Sequence, residues 1–303
     1  MSLVAIILLI VSAVTHAGWN LLTKRQQQPS ASFFLVASVV GTAALFPLLV
    51  IHRNALFDFP PEVWALLVIT GFFMAMYYWS LAGAYKSGDM SIAYPLARSF
   101  PIIVVTAVTL FLGQADQVSI QCILGIVLVV GGCFLIPMQR FTDMRLRNYL
   151  NATCILALIA AFGTAGYSMV DDEALRQLRN VLGDRMNTVS ITLTYACLEA
   201  LSASLWLAIF VGSKHTGRLS FRQVMRANKR TATLTGIGIY GTYALVLISM
   251  AFVKNVSYVV AFRQLSILFG VGLGIMIMGE PPYIPKIVGV GIMFVGLILV
   301  GIG

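Results

Sequence analysis

The sequence predicts an all-α integral membrane protein in which ten transmembrane helices form two inverted five-helix repeats. Three observations carry that prediction: ten apolar runs of spanning length, an uneven division of Lys and Arg between alternate connections, and residues of the first half that recur in the second. Composition agrees. Of 303 residues, 59% are hydrophobic and only 10% charged, against about a quarter charged in a soluble domain, and mean hydropathy is +0.91. The net charge of +9 does not mark a nucleic-acid binder, because most basic residues lie in short segments between apolar runs. There they orient a chain in a bilayer.

Runs of roughly 18 to 25 apolar residues cross the hydrocarbon core as helices. The ten are Leu3–Leu22, Ala31–Ile51, Val63–Ala84, Met90–Leu112, Ser119–Pro137, Leu150–Val170, Asn187–Val211, Thr231–Val253, Ser257–Met278 and Ile284–Ile302. Open strands would leave backbone groups unpaired in lipid, and barrel strands are shorter and alternate. Nothing before Leu3 is positively charged, so the first run lacks the start of a cleaved signal and is expected to be retained. Odd-numbered connections carry thirteen Lys and Arg residues, from Lys24 to Lys286. Even-numbered ones carry five: Arg53, Arg176, Arg179, Arg185 and Lys254. The larger set belongs on the cytoplasmic face of the cytoplasmic (inner) membrane, which puts both termini outside.

The repeat follows from matched positions. Gly18-Trp19-Asn20 resembles Gly166-Tyr167-Ser168 at an offset of 148, Arg98 matches Arg263 at 165, Gly113 matches Gly279 at 166, and Gly125 and Gly132 match Gly289 and Gly296 at 164. Extra residues in Asp171–Met186 and Gly212–Arg230 account for the change of offset. Residues 1–138 and 149–303 are then the two repeats, and an odd number of spans in each makes them enter the membrane in opposite directions. Asp171–Met186 is charged, with Leu175, Leu178, Val181 and Leu182 at helical spacing, and reads as a short amphipathic helix along the outer surface. Ser220–Arg230 is basic and reads as a cytoplasmic anchor for lipid headgroups.

Several motifs together resemble the drug/metabolite transporter superfamily, and within it the ten-helix EamA-type proteins. They are Thr15-His-Ala-Gly-Trp-Asn20, the stretch Ala84-Tyr-Lys-Ser-Gly-Asp-Met-Ser-Ile-Ala-Tyr-Pro-Leu-Ala-Arg98, Phe262-Arg-Gln-Leu-Ser-Ile-Leu-Phe269 and Met278-Gly-Glu280. The resemblance implies a pseudo-twofold bundle that moves small organic solutes, commonly exporting amino acids or other metabolites. Two positions depart from the pattern. Gln114 follows Gly113 where the family usually has glutamate, and Gln264 follows Arg263 where close-looking relatives would have it.

Candidate site residues are the polar groups inside apolar runs, where an ionisable side chain needs a partner, a wet cavity or a ligand. Arg98, flanked by Pro95 and Pro101, and Arg263 are expected either to bind a carboxylate, phosphate or phosphonate or to form structural pairs. Glu199 reads as the one carboxylate well inside a span. It is expected to pair with an arginine, take up a coupling proton or bind a substrate ammonium. His16 is a second proton-relay candidate. Trp19, Asn20, Tyr78, Tyr94, Tyr167, Tyr195, Tyr243 and Gln264 complete the expected lining, the aromatic faces being suited to a cation.

Other classes are less well served. The chain has no His-Glu-x-x-His, no Gly-x-Ser-x-Gly and no Gly-rich ATP-binding loop, and its cysteines Cys122, Cys133, Cys154 and Cys197 have neither zinc nor disulfide spacing. No enzyme activity, cofactor, metal or nucleic-acid partner is expected. The expected partners are a small-molecule substrate and the bilayer, with the chain a monomer or homodimer. The function so read is secondary active transport of an amino acid or another small zwitterion or anion by alternating access, in the direction of export. Uptake or exchange of a quaternary amine or phosphorylated metabolite, and lipid flipping on the same fold, are the alternatives.

Overall fold

A computed structural model describes residues 2–24, 30–87, 90–111, 118–136, 138–143, 152–279 and 281–302, with the side chains of 19–24, 85, 87, 90–96, 98, 99 and 278 excepted. The helices are α1 (Leu3–Lys24), α2 (Ala31–Ile51), α3 (Pro61–Ser87), α4 (Met90–Phe111), α5 (Ile120–Leu135) and α6 (Ala152–Leu182). The rest are α7 (Thr188–Gly212), α8 (His215–Gln223), α9 (Lys229–Met250), α10 (Val256–Phe262), α11 (Leu265–Met278) and α12 (Ile284–Ile302). No strand occurs among the described residues. Among the residues whose side chains are described, seven stretches are long and apolar enough to cross a membrane, in α2, α3, α6, α7, the α8–α9 run, the α10–α11 run and α12; Leu3–Gly18 within α1, Phe100–Phe111 within α4, and Ile120–Leu135 are shorter apolar segments.

Polar residues mark where helices begin. The side chains of Ser30, Ser119, Asn187 and Asn255 accept from the backbone N–H groups of Phe33, Cys122, Ser190 and Ser257, filling donors that a first turn leaves empty. Gly279 closes α11 at φ +66°, a left-handed conformation that a side chain would strain.

Three elements differ from the sequence expectation. The segment expected to lie as a separate surface helix after Val170 continues α6 to Leu182, with Leu175, Leu178 and Leu182 buried in the core. Three of the four residues in the stripe that looked amphipathic are on the inner face of the same helix, and Val181 is exposed. The connection Gly212–Arg230 is itself largely helical, α8 running through a π turn at Val224–Asn228 into α9. The ninth span is broken: the N–H groups of Gln264 and Ile267 donate to carbonyls three residues back, Ala261 (3.1 Å) and Gln264 (2.8 Å), which separates α10 from α11 at Arg263–Gln264.

Packing pairs come in swapped couples. α3 packs on α6 as α9 does on α1; α2 packs on α9 as α7 does on α3; and α4 packs on α6 as α11 does on α1. α5 and α12 pack on each other in antiparallel fashion through reciprocal glycines. A Cβ at Gly125 would lie 2.6 Å from the Gly296 carbonyl and one at Gly296 2.7 Å from that of Gly125. The corresponding distances are 2.5 and 2.8 Å for Gly132 and Gly289. Those backbones touch because neither helix carries a side chain there.

Candidate functional site

Polar residues converge where α3, α6, α7, α9 and the α10–α11 break meet. Tyr167, Ser168 and Asp171 share one face of α6 because they are spaced by three and four residues. Asp171 is fully buried. Its Oδ1 accepts from Thr70 Oγ1 on α3 (2.6 Å) and from the Tyr195 hydroxyl on α7 (2.8 Å), and its Oδ2 accepts from the Tyr243 hydroxyl on α9. One carboxylate thus ties four helices. Burial of such a group is tolerable because its lone pairs are filled by donors.

Arg263 stands beside this knot. Its guanidinium donates to Ser168 Oγ (3.3 Å) and to the Tyr167 hydroxyl (3.2 Å), and it lies 5.2 Å from the Tyr243 ring centre and 5.8 Å from that of Tyr167. Tyr243 therefore gives its hydroxyl to Asp171 and its ring face to Arg263. No carboxylate among the described residues comes within ion-pair distance of Arg263; the ion pairs described are Arg176–Glu173 and Arg185–Asp58, both exposed. The arginine is half-buried, whereas the groups it bonds are buried.

Glu199 on α7 is fully buried, and both carboxyl oxygens lack a hydrogen-bond partner among the described residues. The expected structural pair with Arg263 is absent: the two lie within electrostatic range but not in contact. The same range takes in Asp171 and the phenols of Tyr78, Tyr195, Tyr240 and Tyr243. Tyr240 is held by Ser38 Oγ at 2.9 Å, and Tyr78 is stacked on Phe34 at 4.7 Å. Glu199 is thus a buried carboxyl near several phenols that bonds to none of the described groups.

The structure thus brings Arg263, Glu199, Tyr78, Tyr167, Tyr195 and Tyr243 to one region. Gln264 is buried and turned to its own helix, its Nε2 donating to the Val260 carbonyl (3.2 Å). His16 is half-buried on α1. Trp19 and Asn20 lie on α1, and Tyr94 and Arg98 on α4, but their side chains lie outside the described set, as do residues 113, 114 and 280 entirely. The sequence reading missed Asp171 and Thr70. Glu199 is therefore not the one carboxylate deep in a span. The signal for Asp171 was its spacing of four from Tyr167 and four from Leu175, one stripe passing through the charge.

This bundle of long apolar helices is that of a multi-pass membrane protein. Residues 3–138 match the EamA-like transporter family, a match consistent with the drug/metabolite transporter superfamily. Among solved structures, one crystal structure of a protein matches with a TM-score of 0.67 at 15% identity, over 97% of this chain and 95% of that one, a likeness of fold. No curated protein matches the chain.

Proposed function

We propose that the protein is a secondary transporter that carries a small zwitterionic or anionic organic solute, an amino acid being the simplest case, through a site at the α10–α11 break. The observation that carries this reading is Arg263, a half-buried interior cation bonded to two neutral hydroxyls and to no carboxylate among the described residues. A planar guanidinium in that setting favours a carboxylate or phosphate from solution. Glu199, with both oxygens unfilled, supplies the opposite pole for an ammonium group. The swapped packing couples support two inverted five-helix repeats, residues 1–138 and 149–303, and hence alternating access about the seam between them. Export is the direction favoured by the family, and the charge division among connections favours termini outside the inner membrane.

Purified protein in liposomes, loaded with a panel of radiolabelled amino acids, simple carboxylates and quaternary amines, tests this. Uptake or exchange of at least one solute with an anionic group, lost in Arg263→Gln while the protein remains folded, is the expected result. Undiminished transport by Arg263→Gln removes the arginine from the site. A fusion reporter after Gly303 that reads as cytoplasmic overturns the orientation.

A further inference from the structure

Away from the central site lies a groove of about 660 Å³ between α2 and the α8–α9 run. Val39, Val40, Phe221 and Leu234 help wall it, and Lys229 and Arg230 also line it. It occupies the end of the bundle where Ser220 Oγ bonds Ser30 Oγ (3.0 Å) and Ser32 Oγ bonds the Gly217 carbonyl (3.1 Å). Val39 and Leu234 are 50% and 59% exposed, so the trough opens outward, onto the face that acyl chains cover, rather than into the core.

The charge at this groove is one-sided. Lys229 and Arg230 are exposed and make no ion pair among the described residues. Arg222 and Arg226 are exposed nearby in the chain, and no Asp or Glu occurs between Glu199 and Glu280. The π turn at Val224–Asn228 falls between α8 and α9, and Asn228 itself leaves the helical region at φ −124°, ψ 12°. Such turns interrupt the regular helix at a cost and recur at functional sites. An apolar trough on the lipid face, joined to two unneutralised cations, matches a molecule with a hydrocarbon chain and a negative head.

We propose that this groove binds an acidic glycerophospholipid, its acyl chain in the trough between α2 and Leu234 and its phosphate on Lys229 and Arg230. The test uses the full chain in bilayer discs of phosphatidylcholine with or without phosphatidylglycerol, read by thermal unfolding and by native mass spectrometry of retained lipid. Phosphatidylglycerol is expected to raise the melting temperature and to stay bound. In K229Q/R230Q retention falls about thirtyfold, at about 1 kcal/mol for each surface cation, while R222Q/R226Q retains the lipid. Val40→Trp fills the trough and releases the lipid with both charges intact; Leu234→Gln, at an exposed position, serves the same purpose if the tryptophan variant does not fold. Equal retention by wild type and K229Q/R230Q overturns the site. So does equal loss in R222Q/R226Q, which would mean diffuse surface charge, or full protection by glycerol phosphate alone, which would leave the trough no part.

Discussion

The α5–α12 seam and the polar centre both join helices, and they do so by opposite means. At the seam, Gly125, Gly132, Gly289 and Gly296 remove side chains until backbones meet. At the centre, Asp171, Tyr195, Tyr243 and Thr70 add polar side chains until every oxygen of one carboxylate is engaged. The seam holds by dispersion between surfaces that leave no room for another atom. The centre holds by hydrogen bonds whose removal strands partners in a dry interior. The difference teaches where the molecule can change: the seam tolerates no added volume, whereas at the centre both oxygens of a carboxyl, Glu199, are bonded to nothing described.

That contrast breaks most visibly at Gly132. A Cβ there meets a backbone carbonyl at 2.5 Å, which cannot swing aside as a side chain does. Gly132→Leu should lower stability by about 3 kcal/mol or more, the upper end for overpacked cores, whereas Gly131→Leu, with open space around its Cβ position, should melt as wild type does. Matching melting curves for the two variants would show that the seam is not close-packed. Next in size, Asp171→Ala orphans three hydroxyl donors at about 1–3 kcal/mol for each unsatisfied group. Thermal unfolding in detergent should place it well below Asp171→Asn, which keeps an acceptor oxygen.

Arg263→Gln sharpens the comparison on the side of function. It gives up two hydrogen bonds to neutral hydroxyls, so the loss expected in melting is small beside the loss in uptake, roughly tenfold or more for an anionic solute. A fall in stability as large as that of Asp171→Ala would recast the arginine as structural. Glu199→Gln should change stability least, because no described bond is broken. It should still abolish discrimination between an amino acid and the matching carboxylate that lacks the amine, measured by competition for uptake. Retained discrimination would remove Glu199 from the ammonium pole.

Much of this architecture could be read from the chain, because bilayers impose simple rules. Apolar runs marked where most of the helices lie, and the recurring glycines at 125, 132, 289 and 296, read in sequence only as matched repeat positions, turn out to be where α5 and α12 touch. Arg263 was legible for a similar reason, a charge in an apolar run being conspicuous. Asp171 was not, since it opens the charged string Asp171-Asp-Glu173, and hydropathy averages assign such strings to water. What overrides the average is a helix continuing past its expected end at Val170 with Leu175, Leu178 and Leu182 on the core side. The absence of a bond between Glu199 and Arg263 was equally hidden. Sequence shows that opposite charges exist, but the angle between α7 and the α10–α11 break decides whether they touch.

The interruption at Arg263–Gln264 has one further consequence. α10 ends at Phe262 and α11 begins at Leu265, and the arginine lies between them. On the proposed reading, a solute held by that guanidinium would sit where the two helices join, so the angle between them and occupancy of the site would be linked. Stiffening that joint by restoring regular helix would alter how tightly cargo is held even if every contacting atom were kept.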